Sequence, residues 1–266
     1  MTAENHVQSI QRASALLGVL ATQADAPLGR LAEATGLHPA TARRLLSTLE
    51  SLGYVFQDVV SRRYRLGPLL MYLGTRAAQQ SPLRQLARAE IERLVTLSGE
   101  TVYTAVLQGN DVLYVDAVES HQSIRMSTTV GDRCPAYSTA TGRVLLSYLP
   151  QEQLSAYLSQ PFERQTPNTI TDPAHLASVI QETRRQGFNI SVDEQEDGVT
   201  SIAAPILADG ETAVAAIAVA GPSFRLTSER VNALVPLVIE SASTINAKFR
   251  PKIRAIPPAN EEGGRV

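Results

Sequence analysis

The sequence predicts an α+β protein, in which a small helical part with a two-stranded wing precedes a larger part built on an antiparallel sheet. Three observations predict this class. Residues 28–52 place a turn glycine and a helix-opening proline between two helical apolar patterns. After Gly99 the apolar spacing changes from three or four residues to two, which indicates a change from helices to strands. Glycine-containing turns separate the later apolar runs, as is typical of hairpins.

The N-terminal pattern is that of a helix-turn-helix. Ala32 lies where two helices would cross closely, and Gly36 supplies a left-handed turn four residues later. Pro39 opens the second helix, where its missing N–H costs nothing. The buried face of that helix is predicted from the spacing of Ala42, Leu45, Leu46 and Leu49. The alternative is an ordinary helical hairpin with a solvated basic face, which the coincidence of all these signals disfavours.

The opposite face of the second helix carries side chains that bond phosphates and base edges. An arginine-rich alternating run over residues 61–66 follows, which is the pattern of a wing that contacts the phosphate backbone. A motif of this kind places its second helix in the DNA major groove. The residues that we expect to contact DNA are Arg12, Leu28, His38, Thr41, Arg43, Arg44, Ser47, Arg62, Arg63 and Arg65.

The chain divides into four predicted segments: a winged helix-turn-helix over 1–66, a helical linker over 67–81, a larger α/β domain over 82–250 and a disordered tail over 251–266. A first helix over 7–21 should face inward with Ile10, Leu16, Leu17 and Leu20. In the larger domain we expect strands over 102–106, 112–115, 124–130, 189–192, 202–207 and 214–220, and helices over 83–98, 139–149, 173–186 and 227–249.

Charge and cysteine content narrow the functional classes. The net charge is −2, but residues 1–80 carry eight arginines and five acidic residues, so the N-terminal part is basic by +3. This charge favours DNA contact of moderate strength, with a dimer doubling the contacts. A single cysteine excludes an internal disulfide framework and favours a reducing compartment. The sequence has no long apolar run and no signal pattern, so we expect a cytoplasmic protein.

Several motifs together resemble the IclR family of bacterial transcriptional regulators over residues 7–249. They are the run Val7–Ala13, the helix-turn-helix through Tyr54, residues 64–67, residues 130–143 and the signature-like segment 187–208. Arg143 stands where many members have lysine, and Leu207 and Ala208 replace the usual aromatic and acidic pair. The resemblance implies an effector-responsive regulator, repressor or activator, that acts as a homodimer or homotetramer on palindromic half-sites.

The resemblance also implies a GAF-like effector-binding domain and the position of its pocket. By position, the lining residues would be Met126, Ala136, Tyr137, Thr139, Ala140, Asp193, Ser201, Ala218 and Ala220. Residues 125–127 and 135–145 resemble those of the branch that responds to hydroxybenzoates and related aromatic acids. The predicted effector is a small organic acid, with an apolar uncharged molecule as the alternative. No cofactor is implied.

The residues themselves support this pocket in part. Ser138 and Thr139 precede a predicted helix, whose free N–H groups bind anions. The alternative is that these hydroxyls only cap the helix, and the sequence favours neither interpretation.

The competing class is an enzyme. Cys134 and His121 would supply a nucleophile and a base, but no third orienting residue and no catalytic motif accompany them. A protein-binding scaffold is disfavoured by the arginines of the second helix and the wing. The four acidic residues within 193–197 suggest a metal site, yet acidic residues in a loop are usually solvated and no histidine or cysteine lies at ligand spacing. We therefore expect a regulator without catalytic residues or bound metal.

Overall fold

The computed structural model describes residues 7–253, with side chains as far as Lys248. The chain divides into two compact units, one ending at Gln80 and the other beginning at Ser81. Each unit has an apolar core of its own. Most of the predicted tail, residues 254–266, lies outside the described part of the chain.

The first unit is a winged helix-turn-helix. Its elements are α1 (Gln8–Thr22), α2 (Leu28–Thr35), α3 (Pro39–Ser51), β1 (Val55–Gln57), β2 (Tyr64–Leu66) and α4 (Pro68–Gln80). The two strands pair antiparallel, with Val55 opposite Leu66. Ala26 forms a β-bridge with Tyr64, which attaches the segment before α2 to the wing.

The core of the first unit follows the predicted helical spacing. Ala42, Leu46 and Leu49 of α3 are buried against Leu16 and Leu20 of α1. Leu17, Leu37 and Leu45 are half-buried against the same core. The prediction for Ile10 is wrong, since its side chain is 67 % exposed. The first turn of α1 extends beyond the core, and burial begins only at Arg12 and Ala13.

The second unit is built on one antiparallel sheet of strand order β5-β4-β3-β8-β7-β6. The strands are β3 (Thr101–Gln108), β4 (Asp111–Val118), β5 (Arg133–Pro135), β6 (Asn189–Val192), β7 (Val199–Leu207) and β8 (Ala213–Pro222). The helices are α5 (Pro82–Ser98), α6 (Ala140–Leu146), α7 (Gln151–Leu158), α8 (Pro173–Gln186) and α9 (Ser228–Ile253).

The two faces of this sheet carry different cores. Alternate strand residues such as Ile202, Ile217 and Val219 pack with α5 and α9. The other face presents small residues and tyrosines, including Ala203, Ala218 and Tyr103, toward α6 and α8. Because successive strand residues point to opposite faces, the strand parity assigns each side chain to one core.

Three elements differ from the sequence prediction. Residues 124–130 form no strand, because side chains bond their carbonyl groups: Thr101 Oγ1 donates to the Met126 carbonyl at 2.8 Å and Arg225 Nη2 to the Ile124 carbonyl at 2.9 Å. The short β5, which was not predicted, pairs with β4. Helix α7 was not predicted, and α9 continues to Ile253, past the predicted boundary of the tail at 250.

Between residues 7 and 253, no helix combines the length and the apolar character that crossing a membrane requires.

Candidate DNA-binding and effector sites

The turn before α3 is fixed by local bonds. Gly36 adopts φ 64° and its N–H donates to carbonyl groups at the end of α2. His38 is the N-cap of α3, where Nδ1 accepts a hydrogen bond from the Ala40 N–H at 3.3 Å. Pro39 occupies the first helical position, as predicted. These bonds set the direction in which α3 leaves the turn.

The outer face of α3 presents the predicted polar side chains. Arg43, Arg44 and Ser47 are exposed, and Thr41 is half-buried. Among the residues whose side chains are described, neither arginine of this pair has an ion-pair partner. At 3.6 residues per turn, Arg44 lies nearly opposite the buried stripe and Arg43 lies toward its flank. The face therefore carries two cationic groups available to an anionic ligand.

Three of the predicted contact residues are placed less favourably. The side chain of Leu28 is half-buried and packs against the core of the first unit. Arg12 is half-buried in α1. His38 is exposed, but its Nδ1 already serves as the helix cap.

The wing arginines differ in what they contact. Arg62 is exposed at the turn, with φ 58°. Arg63 forms an ion pair with Asp25, whose Oδ1 lies 2.6 Å from Nε. The guanidinium carbon of Arg65 lies 4.7 Å from the centroid of the Phe56 ring. Backbone and side-chain hydrogen bonds from Ser61 lower the pKa of Asp58 at the base of the turn. The turn is thus held by an ionised carboxylate, and Arg62 is its most available cation.

In the second unit, the predicted effector residues converge on one face of the sheet. Ala136, Tyr137, Ala140, Ala218 and Ala220 belong to one buried cluster, and Met126 packs against it. Thr139 and Ser201 are also buried. Asp193 lies at the edge of this region, half-buried and with φ 54°. We call this set of residues the effector cluster.

Two buried tyrosines belong to the same apolar cluster as these residues. Tyr103 of β3 and Tyr114 of β4 lie with their ring centroids 4.7 Å apart. The pKa of Tyr103 is raised, mainly by burial and also by the Cys134 thiol, while hydroxyl groups of Tyr114, Ser201 and Thr141 oppose the shift. Burial also raises the pKa of Tyr114, so both tyrosines stay protonated. Neither tyrosine was predicted as a site residue, although the alternation of Tyr103 with Ala105 on β3 was a usable signal.

The start of α6 is capped by its own chain. Thr139 Oγ1 accepts from the Gly142 N–H at 3.0 Å, and Ser138 Oγ donates to the Pro135 carbonyl at 3.1 Å and also bonds the Gln195 side chain. Of the two interpretations of these hydroxyls, the contacts favour the cap over an anion site. Ser138 and Thr139 therefore stabilise the start of α6, which lies beside the effector cluster.

A buried ion pair crosses the edge of the effector cluster. Arg143 is 1 % exposed and forms a two-point contact with the Glu194 carboxylate, in which Nη1 lies 2.7 Å from Oε1. Its Nε donates to the Tyr137 carbonyl at 2.9 Å. The sequence analysis considered Glu194 only in an acidic loop, and no local pattern pairs it with Arg143. Within the described residues, no group of His, Cys, Asp and Glu side chains is arranged to hold a metal ion.

Gly142 allows α6 to pack on the preceding turn, and Gly142→Ala is expected to destabilise the second unit. A Cβ at this position would overlap the backbone of Ala136, which cannot rotate away. We expect a loss of about 1–3 kcal/mol or more in the free energy of unfolding, measured by denaturant titration. The control is Gly18→Ala in α1, where a Cβ meets no atom within 4 Å. That variant should gain about 0.5–1 kcal/mol, and equal effects would contradict the packing argument.

Cys134 has the properties of a packed thiol rather than a nucleophile. Its Sγ lies 3.5 Å from the Tyr114 hydroxyl, and burial raises the pKa of the thiol. Since the thiolate is the reactive form, we expect alkylation by iodoacetamide to be slower than for free cysteine from about pH 7 to 9, with the rate still rising above that range. Alkylation of Cys134 faster than that of free cysteine at neutral pH would support the interpretation of Cys134 as a nucleophile.

Comparison with known families follows the two units of the structure. Residues 9–59 match the model of the IclR helix-turn-helix domain, and residues 75–247 match that of the bacterial transcriptional regulator IclR C-terminal domain. The HTH-type transcriptional regulator KdgR of Escherichia coli strain K12 is 30 % identical over 244 residues, 91 % of this chain and 93 % of KdgR. KipR of Bacillus subtilis strain 168, also named an HTH-type transcriptional regulator, is 30 % identical over 92 % of this chain and 98 % of its own length.

Solved structures give the same result. An IclR-type regulator from Alicyclobacillus acidocaldarius aligns with a TM-score of 0.82 at 29 % identity, covering 91 % of this chain and 98 % of that protein. An IclR homologue from Microbacterium hydrocarbonoxydans, solved with 4-hydroxybenzoate, aligns with a TM-score of 0.78 at 26 % identity over 92 % of this chain and all of its own. The relatives are named regulators and repressors, not enzymes. The chain belongs to the IclR family and is a helix-turn-helix transcriptional regulator.

Proposed function

We propose that this chain binds an operator through the outer face of α3 and the tip of the wing, and that a small organic acid in the effector cluster changes that binding. The observation that carries the proposal is the pair of exposed arginines on a capped helix, one nearly opposite its buried stripe and one toward the flank. Arg44 and Ser47 would reach base edges, while Thr41, Arg43 and Arg62 would contact phosphates. Acting on the chromosome, the regulator would work in the cytoplasm.

Self-association follows from the modest charge of one DNA-binding unit. A net +3 over residues 1–80 supplies few phosphate contacts, so we propose that a homodimer, or a homotetramer, binds two half-sites. Two recognition helices would then lie about 34 Å apart or a multiple of it, on a palindromic operator. Effector binding would alter their spacing through α4, and coupling of this kind is typically worth about 1–3 kcal/mol.

The chemistry of the effector cluster supports a small acid that carries a ring. The side chains at 136, 140, 218 and 220 are small alanines, and Tyr137 and Met126 offer surfaces that suit an aromatic ring. The hydroxyl groups of Tyr103 and Ser201 are neutral donors for a carboxylate or a phenol. The 4-hydroxybenzoate complex of the Microbacterium homologue shows such a molecule bound to a related fold.

A thermal-shift comparison tests the effector class. 4-Hydroxybenzoate, benzoate and the uncharged 4-hydroxybenzamide would each be added to the full chain at concentrations up to about 10 mM, since a ligand that binds the native state raises its Tm. We expect the acids to raise the Tm and the amide to do so less. The matched variant Tyr103→Phe should reduce the shift for the acids. Stabilisation by uncharged compounds alone would overturn the proposal of an acid.

The wing arginines should separate into two roles. Arg62→Ala is expected to weaken binding to all DNA sequences alike and to lower the slope of log K against log salt by about one, as for a lost phosphate contact. Arg63→Ala should change the slope less, because Arg63 already pairs with Asp25. Fluorescence anisotropy at several salt concentrations measures both variants. An equal loss of slope would show that Arg63 leaves Asp25 when DNA binds.

A further inference from the structure

The loop between β6 and β7, residues 193–198, is attached to the rest of the second unit by side chains. We call it the β6–β7 loop. Its two ends, Asp193 and Gly198, both have left-handed backbones, with φ 54° and φ 82°. Such a conformation is unfavourable for a non-glycine residue and persists where surrounding contacts hold it. On the outer side, Glu196 and Asp197 are exposed.

The contacts that hold the loop come from three segments. Arg143 of α6 binds the Glu194 carboxylate at two points, and the Gln195 side chain bonds Ser138 before that helix. Thr166 Oγ1 donates to the Asp193 carbonyl at 2.6 Å, and Thr169 Oγ1 donates to the Glu194 carbonyl at 2.7 Å. At the ends of the loop, the Ser223 N–H donates to the Gly198 carbonyl at 2.8 Å and its hydroxyl donates to the Asp193 carboxylate. The middle of the loop is therefore fixed to α6 and to residues 166–169, and its ends to Ser223.

Arg143 is the group that joins the loop to the wall of the effector cluster. One guanidinium bonds the Glu194 carboxylate through Nη1 and Nη2 and the Tyr137 carbonyl through Nε. The Tyr137 hydroxyl in turn donates to the Glu163 carbonyl at 2.6 Å. Lysine, a single point charge, cannot make three directed bonds of this kind in a plane. Charge-assisted, two-point contacts are also among the stronger hydrogen bonds in proteins.

The effector cluster behind these contacts is closed. Tyr103, Ala218 and Ala220 are at most 1 % exposed, so a ligand reaches them only when a wall segment moves. The β6–β7 loop is a wall segment whose middle is held by side chains between two left-handed positions, whereas strands β3, β7 and β8 are held by continuous backbone pairing. The backbone hydrogen bonds of the loop join Asp193 to Val199, Val199 to Glu196 and Ser223 to Gly198.

We propose that the β6–β7 loop is a gating loop of the effector cluster and that Arg143 is the positioning residue that holds this loop closed. The two-point contact with Glu194 sets how often the loop opens, and hence how fast an effector enters and leaves. This inference rests on the proposed effector site, although the opening itself takes place without any ligand.

Hydrogen–deuterium exchange of the full chain, followed by mass spectrometry, tests the proposal. Arg143→Lys keeps the charge and loses the two-point contact, and Gln195→Ala removes the milder bond to Ser138 without disturbing a buried charge. Arg185→Lys is the matched control, since Arg185 forms an exposed two-point contact with Glu182 on α8. Exchange would be compared in residues 136–143 and 193–198 and in strands β3 and β8.

The expected result is local. In Arg143→Lys, exchange in 136–143 and 193–198 should rise about tenfold or more, as for the loss of a charge-assisted hydrogen bond, with β3 and β8 unchanged. Gln195→Ala should give a smaller rise in the same segments, which keeps the test valid if Arg143→Lys folds poorly. Unchanged exchange in the loop in both variants, or an equal rise across the sheet, would overturn the proposal.

A ligand measurement separates this inference from the proposed function. With 4-hydroxybenzoate as probe, stopped-flow measurements on Arg143→Lys should show association and dissociation rates both raised about tenfold over those of the wild type. The Kd should change much less, because easier opening of the loop speeds entry and exit of the ligand alike. If the probe binds neither protein while the loop still opens locally in the variants, the proposed effector class is wrong and the gating role of the loop is supported. If the probe binds with unchanged rates, the gating role is wrong and the proposed effector class is supported.

Discussion

Arg44→Ala is expected to remove sequence discrimination from DNA binding. Arg44 is exposed on α3 nearly opposite the buried stripe of Ala42, Leu46 and Leu49, so it would face the bases if α3 enters a groove as proposed. An arginine that bonds guanine at two points contributes about 1–3 kcal/mol of discrimination. Affinity for the operator should fall roughly 5- to 150-fold, while affinity for unrelated DNA falls much less.

The control for this prediction is Arg44→Lys. Lysine keeps the positive charge and can still donate to guanine O6 and N7, but it lacks the rigid planar fork of arginine. We expect this variant to retain the salt dependence of the wild type and to lose less of its preference for the operator than Arg44→Ala does. The measurement is fluorescence anisotropy with operator and scrambled duplexes at two salt concentrations. If Arg44→Ala weakens both duplexes equally, Arg44 binds a phosphate and the assignment to base readout is wrong.

Glu194→Ala is expected to produce the largest loss of stability. It would leave the Arg143 guanidinium, 1 % exposed, without its counter-charge and with the Tyr137 carbonyl as its remaining partner. Removing one member of a buried ion pair costs about 3–5 kcal/mol. For a unit of this size, the Tm of the second unit should fall by roughly 6–20 °C in a calorimetric scan.

Two further variants make this result specific. Glu182→Ala breaks an exposed ion pair with Arg185 on α8 and should leave the free energy of unfolding nearly unchanged, because water screens the two charges. Arg143→Met with Glu194→Leu removes both charges and should recover most of the lost stability, since apolar replacements of buried pairs are often neutral or better. Similar losses for Glu194→Ala and Glu182→Ala would show that the Glu194 carboxylate is solvated in solution.

The first unit was predictable because its determinants are local. Gly36 and Pro39 specify the turn within four residues, and the stripe on α3 is visible in the spacing of its apolar residues. Ile10 shows the limit of this reasoning: its spacing fits the inner face of α1, but the helix extends beyond the core at its first turn. Periodicity predicts which side of a helix is apolar, not where the neighbouring helices end.

The second unit was predictable in its sheet and less so in its site. Hairpin signals at residues 109–111 and 208–210 indicated the strand pairs, whereas the alternation over 124–130 suggested a strand that the structure lacks. Arg143 and Glu194 lie 51 residues apart, and their pairing depends on how α6 and the β6–β7 loop meet. Contacts of that range leave no spacing pattern in one sequence. The resemblance to a family supplied the region of the effector cluster instead.

The proposed function requires this chain to recognise a particular DNA sequence. Selection of binding sites by the full chain from a pool of random duplexes, followed by sequencing, measures this property. We expect enrichment of an inverted repeat whose half-sites lie about 10 base pairs apart or a multiple of that spacing, with Arg44→Ala losing the enrichment. A pool that stays unenriched while the protein still binds DNA would contradict sequence-specific recognition.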